Sequence, residues 1–563
     1  MSHESGARGP IVKAARLLAL ALPVVLLVLA VLVLPGYVPL VPRWIRRRVV
    51  EAVLRGLLAA YFGASFLAGP GMIFFGWRVL QGRKERRPRP WSARWLALGT
   101  ACLVGLTMLE AGAAGWRARE HRMPRLPTTF AEASKPGESR IVVIGGSSAL
   151  GHPYDPWLSV GQIVAWQLRN EVSDRRYSVE VLAKLGASLE DMHKILAGLK
   201  YKPDAMMIYS GHNEFTARFE EERDPWLDEE PRSARLYPLY RASLHSAFCR
   251  MVYETISKNR LDGPPPRINR HHLIDPPQCS PSEAAEVLAN FRRRLEAIVA
   301  YCERIGTLPI LMIPPSNEGG LEPSRSVLPA TASAADRRWV AATFEAARAA
   351  EAGDAARSET LYRAIIAREP GFAEAHFRLG RLLEKARKYD EASRHYIRAR
   401  DADGLPIRCT TLFQNVYREV AARHDCVLID GPAVLRAASP HGILDDHMIQ
   451  DAHHPTLTGA TVLAEAVARA VRTRPELGPR RGDVLPLDPS QVARHFRMSP
   501  EKWAKVCERA STHYRRISGY RYDPAERLAR AERYAEAIPK LLAGKPPEAL
   551  GVTGLGVRRT QPN

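Results

Sequence analysis

At 563 residues the chain exceeds one ordinary domain, and its 46% apolar and 25% charged residues are globular in proportion. The formal charge of +21 is lopsided: residues 1–126 hold 19 Lys/Arg against 5 Asp/Glu, a net +14, which leaves +7 for the remainder. That distribution assigns the basicity to a membrane region and excludes nucleic acid as a partner, which would need a basic face on the folded domain.

Three stretches, residues 17–42, 56–77 and 95–115, are apolar over the roughly 20 residues that a helix needs to cross a bilayer. The first two contain no charge and the third only Glu110, expected at the interface or packed between spans. The first is too long for a signal peptide and no small-residue cleavage site follows it. With three spans, ten Lys/Arg of the N-terminal tail and second loop face nine on the other side. The dense cluster from Arg78 to Arg94 is expected to be cytoplasmic, which makes the protein multi-pass and puts everything after residue 116 outside, in the periplasm. Seven scattered cysteines show no metal-ligand spacing and fit buried or free thiols; Cys249 and Cys279 could pair only in an oxidising compartment.

From residue 140, β-rich runs (140–144, 177–182, 205–209, 308–313, 427–429) alternate with helical patterns, which predicts a parallel sheet with helices on its faces and ligands at the carboxyl ends of its strands. Residues 337–403 interrupt this with Ala, Arg and Glu at helical spacing and a 34-residue period. Leu379, Gly380, Leu383, Ala392, Tyr396 and Ala399 fall on tetratricopeptide repeat positions, and Ala346, Tyr362, Ile365 and Pro370 fall on those of a preceding, degraded copy. The pair resembles that repeat, with an ordinary helical hairpin as the alternative. Two copies are too few to bury a continuous core, so the insertion must lean on the sheet domain or on a protein partner, as a docking or lid element. Beyond residue 489, Ser499-Pro500 opens a helix to Ser511 and a second helical pattern covers 524–542, without a motif.

The chemistry gathers in the loops. Gly145-Gly146-Ser147-Ser148-Ala149-Leu150-Gly151 follows the first run, a strand-to-helix turn that can expose a serine hydroxyl beside backbone N–H groups. Ser210-Gly211-His212-Asn213-Glu214 follows the third run, and Asp451-Ala452-His453-His454-Pro455-Thr456 comes late. An Asp three residues before a His can turn back and hold the imidazole's tautomer; the same residues also read as half of a metal site, with no further ligand cluster in the sequence to complete it.

Together with Gly186 in Leu185-Gly186-Ala187-Ser188, these segments resemble the four blocks of the SGNH/GDSL hydrolase superfamily in order, over residues 140–215 and 425–472. The resemblance implies an SGNH-type three-layer α/β/α fold, Ser147 as nucleophile, Asp451 and His454 completing a triad, and an oxyanion hole from Ser147, Gly186 and Asn213. Ser148 is the second choice of nucleophile and His453 reads as a loop residue. Gly146 stands where the family has aspartate, Glu214 where an aspartate commonly follows, and His212 reads as a turn filler or substrate contact. The implied activity is cleavage of carboxylic, acetyl or other acyl, esters of envelope glycans or lipids with no cofactor or metal. The alternatives are O-acyl transfer to extracytoplasmic polysaccharide and an inactive scaffold docking partners through the insertion. The expected domains are a membrane region (1–126), a hydrolase domain in two parts (127–336 and 407–488), the insertion (337–406) and a C-terminal helical extension (489–563). Substrate choice is expected in loops 214–277 and 314–335.

Overall fold

The five β-rich runs form β1 (Glu138–Gly145), β2 (Arg176–Ala183), β3 (Ala205–Tyr209), β4 (Leu308–Ile313) and β5 (Val427–Asp430). The computed structural model describes residues 61, 73–82, 90–120, 122–132, 137–171, 176–215, 246–258, 281–329, 331–472, 474, 477, 486–521 and 523–551. All five strands are parallel, in the order β2-β1-β3-β4-β5. The chain leaves β1 toward β2 and then returns across it to β3. The switch point lies therefore between the carboxyl ends of β1 and β3, where open α/β sheets hold ligands.

Successive side chains of a strand point to opposite faces, so β1 supplies both cores. Ile141 and Val143 face one layer, Val142 and Ile144 the other, all fully buried. In the unit that holds the sheet, the helices begin in chain order with the one-turn α1 (Ser147–Leu150), α2 (Val160–Glu171), α3 (Leu189–Leu196) and α4 (Pro281–Ile305). Four more, α5 (Ala334–Ala350), α6 (Ala355–Arg368), α7 (Ala373–Lys385) and α8 (Tyr389–Asp401), make up the insertion. They are followed by α9 (Thr411–Ala421), α10 (Gly431–Ala438), α11 (Leu457–Ala470), α12 (Pro489–His495), α13 (Pro500–Ser518) and α14 (Ala525–Leu542). Side chains of α2, α11, α13 and α14 share the core of the Ile141 face, and those of α3, α4 and α9 the core of the Val142 face. The result is three layers, α/β/α.

In the insertion, α7 and α8 lie one 34-residue period after α5 and α6, as the sequence predicts. A Cβ on Gly380 would stand 2.8 Å from Tyr396 Cε1, so only glycine lets α7 approach that ring. The first copy departs from expectation. Ala346 is exposed, and the buried neighbours of Tyr362 are Ala347 and Phe344, whose ring lies 5.9 Å from that of Tyr362.

Residues 314–328, part of the loop expected to carry substrate choice, are mostly interior. Asn317, Glu318, Glu322 and Ser324 are each at most 2% exposed, because they satisfy buried partners from later elements. Glu318 pairs with Arg400 at 2.6 Å and with Arg436, while Glu322 pairs with Arg527 at 3.0 Å and Arg521 at 3.2 Å.

Residues Met1–Arg122 and Glu229–Pro264 form a unit of their own. Its helix Pro90–Glu120 contains Arg94–Arg119, long and apolar enough to cross a membrane, with Met108, Leu109 and Trp116 among its exposed side chains. Glu110 accepts the hydroxyl of Tyr61, from the predicted span 56–77, at 3.4 Å. Its carboxylate accepts the N–H groups of Ala247 and Phe248 (3.2 Å) and the Ser246 hydroxyl (2.8 Å), which caps the helix Ala247–Lys258 through donors that have no partner inside it. The predicted span 17–42, most of span 56–77 and most of loop 214–277 lie outside the described residues. Cys102, Cys249, Cys302, Cys409, Cys426 and Cys507 carry free thiols, and Cys279 also lies outside.

Candidate active site

Ser147 is the first residue of α1, immediately beyond β1. Gly145 reaches it through a φ of +152°, and an added Cβ there would fall 1.9 Å from the Tyr209 carbonyl oxygen of β3. The tight pass beside β3 turns the chain so that Ser147 faces the late loop. There the Ile449–Pro455 bridge, with Gln450 N–H donating to His454 O (2.8 Å), closes a turn, and Asp451 Oδ1 accepts the N–H groups of His453 (3.1 Å) and His454 (3.0 Å). This is why an Asp three residues ahead of a His folds back onto it.

The two loops meet at the imidazole. His454 Nδ1 lies 2.8 Å from Asp451 Oδ2, and His454 Nε2 lies 2.7 Å from Ser147 Oγ. An ionised carboxylate only accepts, so Nδ1 carries the proton and Nε2 presents a lone pair to the serine hydroxyl. Burial alone would raise the Asp451 carboxyl, but the imidazoles of His454 and its neighbours outweigh it and hold the group well below the ordinary range. Ser148, the second choice of nucleophile, instead donates its hydroxyl to His453 O at 2.9 Å.

Asn213 Nδ2 donates to Ala187 O at 3.0 Å, and stands 2.5 Å from where a Cβ on Gly146 would be. The Asn213 amide thus fills the space beside the nucleophile turn that a side chain at 146 would take. Gly186 (φ +71°) lies in the turn after β2 that Ala187 N–H closes on Lys184 O at 3.2 Å, and Lys184 N–H holds that turn to Gly145 O at 3.2 Å. Glu214 is half-buried, accepts the Leu189 N–H at the start of α3 (3.2 Å) and the Ser210 hydroxyl (3.4 Å), and is pushed up to about 7 by desolvation. Its place is under the site, joining the loops after β2 and β3.

Residues 349–407 match the tetratricopeptide repeat family. The match begins at the end of α5 and runs past α8, so the insertion is a tetratricopeptide-type helical region, a class that builds protein-binding surfaces. No curated protein and no solved structure matches the chain.

The tetratricopeptide region does not present α7 to solvent. Glu374 and Arg378 are buried, and Arg521, from the α13–α14 connection, reaches Glu374 at 3.1 Å. Arg381 pairs with Glu526 (2.8 Å) and Arg348 with Asp523 (3.0 Å). This helix face therefore leans on the chain's own C-terminal hairpin.

That hairpin also reaches the loop of Asp451 and His454, which sequence did not reveal. Tyr514 Oη donates to Gln450 O at 2.8 Å, Arg509 reaches Pro153 O at 2.9 Å and Asp155 Oδ1 at 3.2 Å, and His513 Nε2 lies 3.8 Å from Asp451 Oδ2. Five imidazoles gather. His152 packs edge-on to His454 with centroids 4.7 Å apart, His453 lies 4.3 Å from His454 and stacks on His212 at 4.4 Å, and His513 stands 5.3 Å from His454. Burial pushes His212 and His513 down to about 3 and His453 well below its usual value, so these three rings are neutral near pH 7. His453 is a loop residue, as the sequence reads it, and its ring is buried in the packing beside His454. His212 stacks on His453, with Nδ1 accepting Cys409 N–H at 3.1 Å. Asp451, His454 and His513 together offer ligand atoms that all lie within 4.8 Å of one another, so the fold supplies the metal-ligand cluster that the sequence lacked.

Proposed function

We propose that the chain is a membrane-anchored serine hydrolase of the SGNH type that cleaves carboxylic esters of envelope glycans or lipids. The observation that carries this is the unbroken hydrogen-bonded line from Ser147 Oγ through His454 to Asp451, buried at the carboxyl ends of β1 and β3. His454 Nε2 takes the Ser147 proton as the hydroxyl attacks the ester carbonyl, and Asp451 keeps Nδ1–H in place and balances the imidazolium. The N–H groups of Ser147 and Gly186 and the Asn213 amide receive the developing oxyanion, each worth roughly 3–4 kcal/mol in the transition state. His454 then returns the proton to the leaving alcohol, and a water resolves the acyl-enzyme. The helix Arg94–Arg119, joined by the apolar stretches 17–42 and 56–77, is the anchor, and the catalytic unit is extracytoplasmic.

The test uses the full-length protein in detergent with a fluorophosphonate probe and a chromogenic acetyl ester. Wild type is labelled and turns over. Ser147→Ala loses labelling, and its turnover falls by about 10⁴-fold or more. A folded wild type that takes no label would leave the scaffold as the surviving reading, and acylated product on an added oligosaccharide would make the enzyme a transferase.

A further inference from the structure

We propose that Asp451, His454 and His513 form a zinc site whose occupancy switches the serine site off. The regulatory half of this inference rests on the hydrolase reading above; the binding half rests on the three side chains alone.

His513 comes from α13, some sixty residues beyond the catalytic loop, and has no part in the Ser147–His454–Asp451 line. Its Nε2 is sealed from water and makes no hydrogen bond. At 3.8 Å from Asp451 Oδ2 it is beyond hydrogen-bond reach, and a polar nitrogen sealed from water in that state is destabilising. A cation between the ring and the carboxylate supplies the missing partner. Two imidazoles and a carboxylate are ligands that zinc takes. A tetrahedral zinc at about 2.0–2.1 Å from each donor spaces its ligand atoms roughly 3.4 Å apart. His454 Nδ1 and Asp451 Oδ2 now stand at 2.8 Å, and His513 Nε2 and Asp451 Oδ2 at 3.8 Å. The first pair opens and the second closes by roughly half an ångström, and the His454 and His513 donors, within 4.8 Å of each other, draw together by ring rotation to meet the same ion. With one carboxylate and no thiolate, the site suits reversible occupancy better than permanent structural binding.

The consequence for catalysis is a change of tautomer. A neutral imidazole has one N–H and one lone pair. Zinc takes the Nδ1 lone pair, so the ring's single proton moves through solvent from Nδ1 to Nε2, and no proton is gained or lost. Nε2 then donates and can no longer accept the Ser147 proton.

The experiment strips the full-length protein with EDTA, then titrates zinc chloride. Binding is read by competition with a colorimetric zinc chelator, and ester turnover is normalised to each variant's own zinc-free rate. Wild type and Ser147→Ala should each bind one zinc, and wild type should lose activity in parallel. His513→Gln and His513→Ala, checked by thermal melting, should weaken zinc binding and inhibition together, beyond the 10- to 100-fold typical of losing an outer partner. Equal zinc affinity in wild type and both His513 variants overturns the site, as does a wild type that binds none. Full activity in the zinc-loaded wild type, or activity lost with EDTA and restored by zinc, overturns the switch. Zinc binding that needs His513 in a chain with no esterase activity sinks the hydrolase reading and leaves the metal site standing.

Discussion

At Gly146 the chain has space where the SGNH pattern has an aspartate, and the Asn213 amide occupies it: an added Cβ would stand 2.5 Å from Asn213 Nδ2 and 3.1 Å from Ala187 O. Gly146→Ala should therefore displace the amide without touching Ser147, His454 or Asp451. The expected result is a fall of about 100-fold or more in ester kcat, the scale of losing one oxyanion donor, with KM little changed. Steady-state kinetics on the acetyl ester check it, and an unaltered kcat would remove Asn213 from that role. Ser147, Asp451 and His454 were legible in the sequence because each sits in a short motif whose spacing dictates a local turn. His152 and His513 were not. One follows the nucleophile block and the other lies mid-helix, and neither neighbourhood distinguishes a site residue from an ordinary one.

Among the helices, the second tetratricopeptide copy was legible because its close contact depends on a single glycine beside a large ring. Gly380→Leu drives side-chain atoms into Tyr396, and overpacking of this kind costs about 1–3 kcal/mol or more. Ala346→Leu, at the matching but exposed position of the first copy, should change stability by less than about 0.5 kcal/mol. Urea unfolding with unchanged slope measures both, and equal losses would restore Ala346 to a packed position. What periodicity could not supply was the occupant of the α7 face. The repeat pattern specifies which residues pair inside the insertion, whereas Arg521, Asp523 and Glu526 meet Glu374, Arg348 and Arg381 across more than a hundred residues of chain.

Within the unit that holds the sheet, the buried acids of residues 317–322 tie the sheet domain, the tetratricopeptide region and the C-terminal hairpin together. Removing the partner of a buried charge costs about 3–5 kcal/mol, so Glu322→Ala, which takes away the carboxylate of Arg527 and one of the two carboxylates that Arg521 meets, should destabilise by that order. Burial pushes the Glu322 carboxyl up, but the two guanidinium groups hold it at about 2. A carboxyl with a depressed value when folded stabilises at pH above its unfolded value, near 4.5, and loses that contribution as pH falls toward 2. The wild-type advantage over Glu322→Ala in thermal melting should accordingly shrink across that window, and an advantage constant with pH would exclude the ion pairs as its source. The sequence by itself determined the alternation of strands and helices, the repeat period, the nucleophile turn and the Asp-to-His turn, because each follows from residues close enough to constrain one another locally. Only the tertiary structure decided the strand order, the interior place of residues 314–328 and the arrival of His513 beside Asp451. Those depend on side chains that are chemically ordinary where they stand and acquire a role only when distant segments pack together and exclude water around them.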